Sequence, residues 1–229
     1  MNNTILVVAA HPDDEVLGCG GTIARHVVEG DKVHVLFMSD GETSRIYTNS
    51  REVEERQQVA IDASIVLGLR SKPIFLKLPD NRMDTVALLD IVKMLEKVIN
   101  EIGPKVVYTH CLSDLNIDHK ITHQAVMTAC RPQPGFCVQE IYSFEVLSST
   151  GWDSFSTESA FTPNVFIDII KVWKKKVKAL RCYDHEVRDF PHARSYKSVE
   201  ALAVYRGSGV GIECAEAFQL ERKIKHTTV

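Results

Sequence analysis

Thr4-Ile5-Leu6-Val7-Val8-Ala9-Ala10-His11-Pro12-Asp13-Asp14-Glu15 is the stretch on which the fold reading turns. Residues 5–9 are an unbroken apolar run, too short to span a bilayer and without a basic leader, so a buried first strand explains them better than a signal peptide. The run ends abruptly in a histidine and three acids. A strand covered on both faces, with a polar loop at its carboxyl end, has this pattern.

The same alternation continues outward. Residues 20–29 read as a helix entered through a Gly pair, and residues 32–38 as a second strand. Residues 51–67 have helical spacing with Val53, Ala60, Ile61, Ile65 and Val66 as apolar candidates, and Gly68 as the stop. Residues 73–78, 85–102 and 105–109 follow as strand, helix and strand. A helix over 119–129 and a Pro/Gly break at 131–135 come next. Beyond the break lie strands near 141–146 and 164–169, then helices near 171–181 and 198–205. Strand and helix at these spacings predict right-handed βαβ units. The expected fold is α/β: one domain over residues 1–229, with a Rossmann-like, mostly parallel sheet, helices on both faces and a C-terminal elaboration.

Composition narrows the function classes. The 229 residues are 45% hydrophobic and 25% charged, as in an ordinary globular protein. With 27 Lys and Arg against 30 Asp and Glu, the net charge of -3 provides no broad basic surface for a phosphate backbone, so no nucleic-acid partner is expected. No apolar run is long enough for stable membrane insertion. Six cysteines without a C-x-x-C pair read as reduced thiols of a cytoplasmic protein. Both a monomer and a homo-oligomer stay open.

In open α/β sheets ligands bind at the carboxyl ends of the strands. There the sequence puts His11 to Glu15, Ser39 to Thr43, Leu78 to Asn81 and His110 to His119. Three adjacent acids beside a histidine repel one another unless a cation joins them. His11 and Asp14, at i and i+3, can reach one divalent ion from a turn stiffened by Pro12, leaving Asp13 beside a water on that ion. An acidic turn complementing a helix dipole is the plainer alternative. In Asp114-Leu115-Asn116-Ile117-Asp118-His119, His119 supplies a third ligand and Asp118 an acid behind it. Asn116 also suits an ordinary helix N-cap, and His123, four residues after His119, faces the same ion if the segment is helical. Two histidines and a carboxylate leave a position open for water, as a catalytic zinc site requires.

The segment from Ala10 to Thr22, HPDDEVLGCGG at its centre, resembles the signature of the LmbE/PIG-L-like zinc N-deacetylases. Asp114-x-Asn116-x-Asp118-His119 resembles that family's second metal motif, and Ala215-Glu216-Ala217-Phe218 a segment common in its bacterial members. The resemblance implies zinc on His11, Asp14 and His119, with ferrous iron fitting the same donors, and Asp13 as general base. It sets Arg51 where some members grip substrate; a solvated helix-end arginine is the alternative. One departure matters. Many members have a histidine where this chain has Asn116, and Asn can donate to an oxyanion but cannot shuttle a proton. His192, in Phe190-Pro191-His192-Ala193-Arg194-Ser195, resembles a segment of related members and is the first candidate for that task. His185 and His110 come next.

The implied reaction is hydrolysis of an N-acetyl group on an amino sugar or a nucleotide-linked sugar, in which zinc acidifies water and polarises the carbonyl. Specificity is expected from loops 44–50 and 148–162. Two histidines and a carboxylate also suit non-heme iron oxygenases, but the adjacent Asp13 favours hydrolysis. Cleavage of another amide-like bond, in a formyl or thiol-sugar conjugate, and a non-catalytic metal-binding module are the remaining alternatives.

Overall fold

The computed structural model describes residues 2–44, 49–153 and 160–225. The first strand, β1 (Thr4–Ala9), turns alternate side chains to opposite faces, and both faces are buried. Ile5, Val7 and Ala9 join one core; Leu6, Val8 and Ala10 join the other. The first core lies under α1 (Asp14–Glu29), α2 (Ser50–Leu67) and α5 (Trp173–Cys182), the second under α3 (Leu88–Ile102) and α4 (Ile117–Ala129). Helices on both faces follow directly from a strand that is apolar all round.

β1 pairs in parallel with β2 (Lys32–Ser39) and β4 (Val106–His110); β3 (Ile74–Leu78) and β5 (Glu140–Phe144) extend the parallel sheet on either side. The order is β3-β2-β1-β4-β5-β7-β6. The first five strands therefore have the doubly wound, Rossmann-like order, with the direction of winding reversing between β1 and β4. The C-terminal elaboration belongs to the same sheet. β6 (Val165–Asp168) forms its edge, and β7 (Ala215–Lys223) inserts antiparallel between β5 and β6.

Most elements fall where the sequence predicts them. α2 is closed by a capping box between Asn49 and Glu52 and by Gly68 at φ 96°, a left-handed backbone that glycine adopts without strain. Two expectations need correction. α1 begins at Asp14 rather than near residue 20, and bends at Cys19 (φ -147°). The bend lets the backbone pack closely on the sheet: a Cβ on Gly18 would lie 2.3 Å from the Phe144 ring. The second correction is β7, which sequence reading took only as a short tail segment. Among the described residues no helix is long and apolar enough to cross a membrane, and the six cysteines are free.

Candidate metal centre

The loops leaving β1 and β4 diverge at the point where the winding reverses, and they bring His11, Asp14 and His119 together. Their ligand atoms all lie within 4.8 Å of one another, and all three residues are buried. Asp14 Oδ2 is 3.2 Å from His11 Nδ1 and 3.2 Å from His119 Nε2. Donors about 2.1 Å from a tetrahedral ion stand roughly 3.4 Å apart, so these two spacings are compatible with a divalent ion.

The outer partners fix which atoms face inward. Asp114 Oδ2 lies 3.0 Å from His119 Nδ1, and takes further hydrogen bonds from Ser149 Oγ and Thr150 Oγ1. The Nδ1 proton therefore points at Asp114, and the Nε2 lone pair points at Asp14. On the other side Asp118 accepts from Asn81 N at 2.7 Å and Met83 N at 3.0 Å, and its Oδ2 is 3.1 Å from His11 Nε2. That contact directs His11 Nδ1 inward. Carboxylates placed behind histidine ligands in this way set the tautomer and raise ligand basicity.

Asp14 Oδ1 and His119 Nε2 are buried without a hydrogen-bond partner. Such orphans are costly unless something satisfies them, and a divalent cation held by this carboxylate and this imidazole nitrogen is one way to do so. Without an ion, protons do part of that work. Burial opposes the charge, yet Asp14 and Asp114 carry His119 up to about 9. Burial likewise opposes the ionised Asp14, and the facing His119 and His110 hold its carboxyl well below its ordinary range. A second group of donors, His11, Asp80 and Asp118, shares His11, with Asp80 Oδ1 3.2 Å from its Nε2. The backbone bonds already held by Asp118 make it the weaker cradle.

Asp13 stands beside this centre with a backbone φ of 123°, a region that costs a non-glycine residue about 1–3 kcal/mol. Its N–H donates to Glu15 Oε2 at 3.0 Å, and Tyr183 Oη donates to Glu15 Oε1 at 2.7 Å. Glu15, the third acid of the motif, thus stabilises the unusual turn. Arg194 Nη1 donates to Asp13 Oδ2 at 2.9 Å, and Arg56 Nη2 approaches the same oxygen at 3.4 Å. Oδ1 keeps no protein partner among the described residues. Burial pushes the Asp13 carboxyl up, opposed by the two guanidiniums. A cavity of about 170 Å³ opens here, lined by His11, Asp13, Gly41, Ser44, Arg56, Asp80, Asn81, Asn116, Glu186 and Arg194, every one polar or glycine.

The other expected residues fall as follows. Asn116 lines the cavity but is also the N-cap of α4: its Oδ1 accepts from Asp118 N, and its Nδ2 donates to Asn81 Oδ1. His123 is not among the donors that cluster at the centre, and its Nδ1 donates to the His110 carbonyl at 2.9 Å. His110 accepts from Ala10 N through Nε2 and stacks on His119, with ring centroids 3.9 Å apart. Arg51 does not reach the site. Its side chain is 85% exposed and pairs with Glu55 one turn along α2. The α2 arginine at the cavity is Arg56, buried on the inward face of the helix with Ala60, Ala63 and Leu67. An arginine in phase with the apolar face of a helix was the available signal. His192 stays outside the cavity lining: its Nδ1 accepts from Arg194 N, and its ring meets Trp152 edge-on at 5.7 Å. His185 contacts Arg56 from the far side. Of the loops assigned to specificity, residues 45–48 and 154–159 lie outside the described residues.

A Rossmann-like sheet carrying a buried His-Asp-His cradle and an adjacent acid at its switch point places a candidate metal centre where open α/β sheets bind their ligands. Residues 6–130 match the model of the PIG-L family, GlcNAc-PI de-N-acetylase, and the chain belongs to that family. It is 33% identical over 167 residues to an uncharacterised deacetylase of Escherichia coli, YaiS, a match covering 71% of this chain and 80% of the relative. It is 29% identical over 195 residues to the 4-oxalmesaconate hydratase of Pseudomonas putida, covering 77% of this chain and 71% of that one. In fold it is similar to the N,N'-diacetylchitobiose deacetylase of Pyrococcus horikoshii, with a TM-score of 0.78 at 20% identity over 96% of this chain and 84% of that one.

Proposed function

We propose that this chain is a metal-dependent N-deacetylase that hydrolyses the N-acetyl group of an amino sugar or a nucleotide-linked sugar. Zinc is the preferred ion on His11, Asp14 and His119, and ferrous iron suits the same donors. The observation that carries the reading is Asp13: a buried carboxylate beside the cradle, clamped through Oδ2 and open at Oδ1. A bare metal-binding module has no use for such a group.

When bound, the ion supplies Lewis acidity toward the acyl oxygen and makes water a stronger acid. Asp13 Oδ1 takes a proton from water as the water oxygen bonds to the acyl carbon. The C–N bond then breaks with its electron pair left on nitrogen, Asp13 returns the proton there, and acetate and a free amine leave. Asp118 and Asp114 orient the two histidines. The wholly polar lining supports a polyhydroxylated substrate, with Ser44, Asp80 and Asn81 as hydroxyl partners. The six free cysteines support action in the reducing cytoplasm.

The match to a hydratase favours a second reading, in which the same base adds water across a carbon–carbon double bond of an unsaturated acid. The two readings part at their products. A panel of N-acetyl sugars assayed for free amine and acetate, beside 4-oxalmesaconate assayed for loss of its conjugated absorbance, separates them. Amine release supports deacetylation. Hydration without amine release from any sugar overturns it.

A further inference from the structure

Two guanidiniums face Asp13, and they differ in what they have left to give. Arg56 has its two terminal nitrogens engaged: Nη2 donates to the Pro12 carbonyl, and Nη1 lies 2.8 Å from Glu186 and 3.0 Å from His185 Nε2, while its unpartnered Nε is buried 3.9 Å from Glu42. Its side chain is 3% exposed. Arg194 is 25% exposed and lines the cavity. Its Nε donates to Ser148 Oγ at 2.8 Å and its Nη1 to Asp13 Oδ2 at 2.9 Å, while Nη2 has no partner among the described residues. Ser148, at φ 82° four residues beyond the end of β5, braces the guanidinium.

Asn116 is poorly placed to serve a substrate oxygen. Its Oδ1 is taken by the α4 backbone and one Nδ2 proton by Asn81. His192 is turned to the Arg194 backbone and Trp152. Arg194, two residues beyond the histidine that sequence reading favours, is the cavity-lining guanidinium with a terminal nitrogen left over.

We propose that Arg194 binds the acyl oxygen of the substrate through Nη2 while holding Asp13 beside the same carbonyl through Nη1. This rests on the hydrolytic reading of the site. One planar fork then fixes both the base and the oxygen that gains charge as water adds, a task for which arginine geometry is suited and lysine is not. Arg194 cannot lose its proton, so it stabilises charge and transfers none; the proton passes through Asp13.

The test uses full-length zinc-loaded protein as wild type, Arg194→Ala, Arg194→Lys and Ser148→Ala. Turnover is followed on the best sugar of the panel, and acetate, which carries the acyl oxygens of the product, is the calorimetric binding probe. Arg194→Ala should lose roughly 100-fold or more in kcat with KM changed less than about threefold, and added guanidinium should restore about tenfold of it. Acetate should bind about tenfold more weakly to Arg194→Ala, with Arg194→Lys and Ser148→Ala between. A merely structural role gives no guanidinium rescue. Acetate affinity equal in wild type and Arg194→Ala, or no acetate binding by wild type, overturns the assignment whether or not any sugar is turned over. Arg194-dependent acetate binding without amine release would keep the assignment and sink the sugar deacetylase reading alone.

Discussion

Lys176 on α5 and Glu216 on β7 meet at 2.6 Å inside a broken helical hydrogen bond. In an unbroken α1 the Leu17 carbonyl would accept from Gly21 N. Instead Lys176 Nζ donates to Leu17 O at 3.0 Å, and Glu216 accepts from Gly21 N at 2.8 Å and Thr22 N at 2.6 Å. The pair satisfies the groups freed by the bend at Cys19, which holds the helix against the sheet and its first turn at the metal centre. Removing one partner leaves the other charge buried. Lys176→Met should cost about 3–5 kcal/mol in urea unfolding, and Glu216→Leu more, because it also strands two amides. Equal or negligible losses would show that the bend is held by something else.

Asp114 touches the proposed metal centre only through His119. Asp114→Ala should keep the fold and weaken zinc by about 10–100-fold in competition with a chromogenic chelator. His119→Ala should bind no stoichiometric zinc, whereas His123→Ala should bind it with near wild-type affinity. Strong loss in His123→Ala would return that residue to the ligand set.

For Asp13 the expected split is between metal and rate. Asp13→Asn should retain one zinc per chain and lose about 10²–10⁴-fold in turnover, the usual range for a positioned general base. His11→Ala should lose both. Near-full turnover in the Asp13 variant with zinc bound would refute the base assignment.

The two arginines of α2 make a contrasting pair. Arg51→Ala should leave kcat/KM within about twofold and stability within roughly 0.5 kcal/mol, since an exposed i,i+4 pair contributes little. Arg56→Leu should lower both, because Asp13, Glu42 and Glu186 then lose their shared cation. Comparable activity in the two variants would contradict the placement of Arg56 at the cavity.

Much of this arrangement was legible in the sequence, for identifiable reasons. The two-faced burial of β1 is written in residues 5–9, and His11, Asp13 and Asp14 follow within one turn, where local geometry alone decides what meets. His119 reaches the same cluster because β4 and the N-cap at Asn116, both legible in the sequence, fix its distance from the sheet edge. What failed depended on distant partners. The start of α1 was read too late because three glycines argue against helix, while Lys176 and Glu216, which rescue the bend, lie far along the chain. β7 escaped notice because it ends in Glu221, Arg222 and Lys223, whose charges disguise a strand with buried residues at its start. Arg194 and its contact with Asp13 arise from the fold of a loop, which no periodicity encodes.

If a divalent ion on His11, Asp14 and His119 lets Asp13 hydrolyse an N-acetyl sugar, activity must follow the ion. The most direct test is amine release from the best sugar by protein stripped with chelator and titrated back with zinc, with bound zinc counted in the same samples. Stripped protein should release no amine, and recovery should rise with zinc to one ion per chain. Full release by verifiably metal-free protein, or one bound zinc with no release from any N-acetyl sugar, would contradict that role for the ion.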